Sequence, residues 1–209
     1  MLFTDYIWDF DGTLFDTYPR ISASFRAALS QLGCERPADE VLSAVKQSVR
    51  GAANDYARRY DLDAREINRL YHEIESALPI DDMTPYPGAE AFLRAVMAQG
   101  GRHFLYTHRD KGAMKALANH NMADCFSGAI TVDDPFPLKP APDALLHLMK
   151  RYGIAPERAV MLGDRDIDVE AARNAGIAGC LIDAGHYYDA YDVDLRCERI
   201  DDLYALMKL

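Results

Sequence analysis

The sequence predicts an α/β fold, a parallel sheet with helices on both faces, interrupted after its first strand by an all-helical insertion. Three observations predict it. From residue 89 onward, short apolar β-favouring runs alternate with stretches of helical periodicity, the β-α-β rhythm of a parallel sheet. A run of the same β-favouring kind, Tyr6-Ile7-Trp8, stands alone near the start. Between them, helical periodicity runs from about 19 to 78 with no convincing strand.

Taken in order, Tyr6-Ile7-Trp8 reads as a buried strand because it is apolar and stops abruptly at Asp9-Phe10-Asp11-Gly12, a polar turn containing glycine. Ile21, Phe25, Ala28, Leu29 and Leu32 then recur at helical spacing and are closed by Gly33. Further helical segments are expected at 41–49, 52–60 and 64–78. The breaker cluster Thr84-Pro85-Tyr86-Pro87-Gly88 ends this stretch. Beyond it, a helix at 89–98 ends at Gly100-Gly101 and precedes a strand at 103–107. The alternation continues with helix 111–119, strand 129–132, helix 142–152, strand 159–163, helix 167–175, strand 179–182 and a last helix at 202–207. The expected division is therefore a core of residues 1–13 and 85–209, with 14–84 inserted as a helical domain.

Composition narrows the function. Of 209 residues, 49% are hydrophobic and 27% charged, which excludes a disordered or fibrous chain. Against 33 Asp and Glu stand 23 Lys and Arg, a net charge of −10, so a charge-driven grip on nucleic acid or an anionic membrane would work against the field of the whole protein. No apolar run approaches the length needed to span a bilayer, and Asp5 interrupts the start before a signal-peptide core could form, so a cytoplasmic location is expected. Cys34, Cys125, Cys180 and Cys197 are scattered, with neither a C-x-x-C pair nor histidines at ligand spacing. They read as reduced, mostly buried fillers.

Chemistry concentrates at strand ends. Asp9 and Asp11 are two apart where period two puts alternate side chains on one side, facing the crevice in which open α/β sheets bind ligands. Two such carboxylates favour a cation or a shared proton, and suit divided roles as nucleophile and acid/base. Gly163-Asp164-Arg165-Asp166-Ile167-Asp168 follows a second buried run and adds further oxygen ligands of the kind that suit Mg²⁺, although an N-cap would use the same residues. Thr107 ends another strand. Lys139 lies among prolines before a helix. Each feature alone is commonplace; their joint occurrence, in order and at strand ends, is not.

On Asp9-Phe10-Asp11-Gly12-Thr13, then Thr107, then Lys139-Pro140-Ala141-Pro142-Asp143, then Gly163-Asp164 with Asp168, the chain resembles the haloacid dehalogenase superfamily along essentially its whole length. It is most similar to the phosphatase branch with a helical cap, and within that to the phosphoglycolate-phosphatase-like group. The resemblance implies a Rossmann-like core and a Mg²⁺-dependent phosphoric monoester hydrolase acting on a small phosphorylated metabolite. It implies that Asp9 attacks phosphorus to form an aspartyl-phosphate, and that Asp11 protonates the leaving alcohol and then deprotonates water. Mg²⁺ would be held by the Asp9 carboxylate, the Asp11 backbone carbonyl and Asp164, with Asp168 ordering the shell. Thr107 and Lys139 would bind the phosphoryl group, joined by the backbone amide of His108, which follows Thr107. Whether the side chains of His108 and Arg109 enter the site stays open.

Other readings differ at residues in view. Dehalogenases work without metal and lack the second aspartate, so Asp11 and Asp164 argue against that branch. The phosphonate-cleaving branch would use a cap lysine, for which Lys46 is available, but has a small residue in place of Asp11. A β-phosphoglucomutase-like transferase keeps the same acidic set and stays open as an alternative; Thr13 leans toward hydrolysis. A non-catalytic binding protein on this scaffold would usually have lost a motif residue, and none is missing. For substrate selection, Lys46 and Arg50 are expected at i and i+4 on one polar edge of the 41–49 segment, just before Gly51, where a second anionic group could be paired. Acidic side chains outnumber basic ones in 14–84, so specific placement would have to supply that attraction.

Overall fold

Strand β1 (Asp5–Trp8) is buried along its whole length. It pairs in parallel with β2 (Arg102–Tyr106) on one side and β4 (Ala159–Gly163) on the other. Full burial suits a central parallel strand, which is covered on both faces and therefore reads as a continuous apolar run. The computed structural model describes all of residues 1–209. With β3 (Phe126–Ile130), β5 (Ala178–Ile182) and β6 (Leu195–Cys197), the six-stranded sheet has the order β3-β2-β1-β4-β5-β6, every neighbouring pair parallel. The order reverses beside β1, the place where ligands bind in open sheets of this type.

Alternation along the strands decides which helices cover which face. Tyr6 and Trp8 meet Phe92 of α5 (Ala89–Ala98) edge-on, at centroid distances of 6.0 and 5.8 Å. Ile7 points the other way, into a cluster with Phe104, Met161, Leu145 and Leu148 of α7 (Asp143–Tyr152), and Ala171 and Ala172 of α8 (Asp166–Ala175). Helix α6 (Gly112–Asn119) connects β2 to β3, and Tyr204 of α9 (Leu203–Leu206) packs on Phe92 at 5.2 Å.

Helices α1 (Tyr18–Gln31), α2 (Ala38–Gln47), α3 (Val49–Tyr60) and α4 (Ala64–Ala77) form the insertion. Their shared core includes Phe25, Leu29, Val41, Val45, Ala53, Tyr56 and Ile67. Arg20 of α1 closes the C-terminus of α4: Nε donates to Glu75 Oε1 at 2.8 Å, and Nη2 donates to the carbonyls of Glu75 and Leu78 at 2.7 and 3.0 Å. These bonds satisfy carbonyls that a helix end leaves without a partner.

The chain divides into two units, 1–15 with 85–209, and 16–84. Leu14 and Phe15 stay with the first because both are fully buried there, Phe15 stacked on Phe10 at 4.4 Å and bridged to Pro85. No helix is long and apolar enough to cross a membrane. The four cysteines are free thiols, and all but Cys34 are buried.

Three elements differ from expectation. The expected helix 41–49 breaks at Ser48, whose backbone is extended (φ −170°, ψ 121°) and whose Oγ accepts from Gly51 N at 3.0 Å, capping α3. Lys46 and Arg50 thus lie on two helices and share no i, i+4 edge. The strand expected at 129–132 forms at Phe126–Ile130 instead. It is an edge strand with an irregular register opposite His103/Phe104, and small residues Ser127, Gly128 and Ala129 give it little apolar signal. Strand β6 has only three residues with Arg196 at its centre, too short and too polar to read as a strand.

Candidate active site

The parallel ladder carries one residue beyond β1, with Asp9 N donating to Leu162 O at 2.8 Å. The chain then turns through Gly12, at a left-handed φ of 75° that favours glycine. Asp9 is thereby held at the carboxyl end of the sheet beside Asp164, the residue after β4. Asp9, Asp164 and Asp168 are all buried, with carboxylate oxygens within 4.8 Å of one another. Lys139, buried in the loop before α7, joins two of them: Nζ donates to Asp9 Oδ1 at 2.8 Å and to Asp168 Oδ1 at 2.7 Å. Burial alone would lower the affinity of this amine for its proton, but the attraction of Asp168 and Asp9 outweighs it and raises the pKa. The ammonium also sits 4.8 Å from the centroid of the Tyr106 ring. Asp168 uses its second oxygen to accept from Arg165 N at 3.2 Å, fastening the first turn of α8.

Three buried carboxylates with one buried lysine among them carry an uncompensated charge of about −2, a costly arrangement without a cation. The donors are all hard oxygens. Charge and donor chemistry both fit a divalent cation of the Mg²⁺ type, so the cluster is a candidate divalent metal site.

Thr107 follows β2, its N donating to Ile130 O at 3.0 Å. Its Oγ1 accepts from Arg109 N at 3.0 Å, an arrangement that leaves the hydroxyl proton to donate elsewhere. His108 turns its ring to the Lys139 loop, where Nε2 accepts from Lys139 N at 2.8 Å. Burial, with the positive Lys139 nearby, pushes the His108 pKa down to about 4, so the ring is neutral with its proton on Nδ1. Its side chain fixes the lysine-bearing loop.

Asp11 does not join the carboxylate cluster as its spacing from Asp9 suggests. Its carboxylate is taken up by Arg109, with Nε at 2.9 and 3.2 Å from its two oxygens and Nη2 at 2.8 Å from Oδ1. The turn between Asp9 and Asp11 is no longer extended strand, so the period-two argument fails there. The structure thus brings together Asp9, Lys139, Asp164 and Asp168, and places Thr107 and Asp11 on the loops leaving the neighbouring strand ends. In the helical unit, the Lys46 ammonium lies 5.0 Å from the centroid of the Tyr18 ring, and Arg50 is exposed. Sequence reasoning missed the contacts of His108 and Arg109. Their only signal was position, one and two residues after Thr107.

The family model of haloacid dehalogenase-like hydrolases matches residues 6–182. A phosphoglycolate phosphatase of Pseudomonas putida is 30% identical over 96% of this chain and 77% of its own length. A phosphoglycolate phosphatase of Chromobacterium violaceum is 31% identical over 96% of this chain and 95% of its own. Among solved structures, a hydrolase from Streptococcus pneumoniae TIGR4 is 29% identical with a TM-score of 0.69, covering all of both chains. A haloacid dehalogenase-like family protein from Streptococcus pneumoniae, 21% identical, superposes with a TM-score of 0.83 over 98% of each chain, a likeness of fold. With the family model spanning most of the chain and these relatives matching nearly all of it, the chain belongs to the haloacid dehalogenase-like hydrolases and is homologous to phosphoglycolate phosphatases.

Proposed function

We propose that the chain is a Mg²⁺-dependent phosphatase that hydrolyses a small phosphomonoester through an aspartyl-phosphate on Asp9. The observation that carries this reading is the buried cluster of Asp9, Asp164 and Asp168 around Lys139 at the carboxyl end of the sheet. In the first half-reaction a carboxylate oxygen of Asp9 bonds to phosphorus as the bond from phosphorus to the alcohol oxygen breaks, and Asp11 gives that oxygen its proton. In the second, water attacks the same phosphorus, its proton goes to Asp11, and the bond between Asp9 and phosphorus breaks to release phosphate. Lys139 lowers the charge on Asp9 and the phosphoryl group, Thr107 donates its hydroxyl to a phosphoryl oxygen, and the His108 backbone amide supplies a further donor. Mg²⁺, held by the Asp9 carboxylate, the Asp11 backbone carbonyl and Asp164, with Asp168 ordering that shell, supplies positive charge that lets an anionic nucleophile approach an anionic phosphate.

The printed activity of the relatives makes phosphoglycolate the first substrate to test. Arg50, and after it Lys46, are the proposed partners of a second anionic group on such a substrate. The experiment is a turnover screen of phosphomonoesters with Mg²⁺ that scores both phosphate release and sugar-phosphate isomerisation. Phosphate release from small phosphorylated acids is expected. Isomerisation without release would replace the phosphatase by a β-phosphoglucomutase-like transferase, and silence on every compound would replace it by a binding protein.

A further inference from the structure

We propose that Arg109 is a positioning residue for Asp11, an inference that rests on the acid/base role proposed above. Asp11 stands outside the sheet ladder with its side chain 22% exposed, where nothing in its backbone geometry limits the carboxylate to one direction. Proton transfer to a departing alcohol needs that carboxylate within hydrogen-bond reach of one particular oxygen. The guanidinium of Arg109 supplies the direction. Nε reaches both carboxylate oxygens at 2.9 and 3.2 Å while Nη2 holds Oδ1 at 2.8 Å, so rotation of the carboxylate breaks more than one contact.

Arg109 is itself fixed. Its N–H donates to Thr107 Oγ1 at 3.0 Å and its carbonyl accepts from Val132 N at 3.1 Å, which ties its backbone to the ends of β2 and β3. Its guanidinium carbon lies 5.9 Å from the centroid of the Phe10 ring, and its side chain is 9% exposed. The Thr107 loop therefore orients the acid/base as well as offering a hydroxyl to the phosphoryl group. Lysine at 109 would keep the charge but lose the planar fork, and a point charge does not fix a carboxylate's rotation.

The experiment compares wild type, Arg109→Gln, Arg109→Lys, Asp11→Asn and the double variant Asp11→Asn/Arg109→Gln, on an alkyl and an aryl phosphate with Mg²⁺. The first turnover of aryl alcohol is followed by rapid mixing, and urea melts report the fold. Arg109→Gln is expected to lower kcat on the alkyl phosphate by about 10- to 100-fold with little change in KM. The first aryl turnover should stay within about twofold, because a good leaving group needs little protonation. Lysine should not restore the rate. In the Asp11→Asn background, Arg109→Gln should add no further loss. Further loss there would assign Arg109 directly to the substrate, and equal loss on both substrates with a weakened fold would make the pair structural; either overturns the proposal. An active wild type with an unaffected Arg109→Gln overturns this inference alone, whereas a wild type silent on every phosphomonoester overturns the phosphatase reading and the inference with it.

Discussion

Lys139 is the residue on which the site's charges meet, and it separates two substitutions that a motif alone would treat alike. Asp9→Asn removes one of three buried carboxylates and leaves Lys139 paired with Asp168. It should abolish turnover, since an amide is no nucleophile, while the urea midpoint holds or rises because like charges are fewer. Lys139→Met also ends turnover but leaves Asp9, Asp164 and Asp168 buried without their lysine. Measured in chelator, it should be less stable by about 3–5 kcal/mol, and a midpoint equal to wild type would show the lysine to be no part of the balance. The residues of this cluster were legible because each follows a recognisable strand or helix boundary. Asp11's turn toward Arg109 and the neutral His108 ring were not, since the directions of side chains in irregular loops follow from contacts made only after folding.

At the scale of elements, the junction of β4 and α8 is built around a missing side chain. A Cβ on Gly163 would overlap the Asp168 carboxylate, the group that fastens the first turn of α8 and pairs with Lys139. Gly163→Ala is therefore expected to destabilise the protein by about 1–3 kcal/mol and to lower activity together with stability; an unchanged urea midpoint would mean that Asp168 relocates freely. Strand β2 carries a second consequence. His103 is fully buried, Nδ1 accepting from Trp8 Nε1 and Nε2 donating to Leu93 O, each at 3.0 Å, and burial pushes its pKa down to about 4. Between about 4 and the ordinary 6.5 the unfolded chain holds a proton that the folded chain lacks, so this contribution is intact above about 6.5 and is lost as pH falls toward 4, by up to about 3 kcal/mol. His103→Asn should be less stable at pH 7, where Leu93 O loses its donor, yet should show a flatter fall across that window; an identical slope would place the acid sensitivity elsewhere. Elements with clean period or full burial, such as β1, β4 and α5, were readable from sequence. The α2–α3 break was not, because one capping serine outweighs a helical pattern that runs through it without interruption.

Across the whole molecule, the α/β rhythm was legible because central parallel strands must be apolar on both faces, and the insertion because a long stretch offered no strand at all. The edge strands β3 and β6 escaped, since a strand paired on one side needs neither a long apolar run nor alternation. The same scale governs response to metal. A chain of net charge −10 gathers three carboxylates in one dry place, so a divalent ion held there should stabilise the folded form over the unfolded. At Mg²⁺ about 100-fold above its dissociation constant the gain is about 2.7 kcal/mol, or roughly 5–10 °C in Tm for a chain of this size. The check is a thermal melt in chelator, then in Mg²⁺, then in NaCl of matched ionic strength. Sodium should reproduce little of the shift, because general screening acts on surface charges and not on a buried cluster. Asp164→Asn should lose most of the Mg²⁺ shift while its metal-free Tm stays level or rises. A Tm indifferent to Mg²⁺, or turnover undiminished after exhaustive chelation, would remove the metal from the reaction and leave Lys139 as the only counter-charge at the cluster.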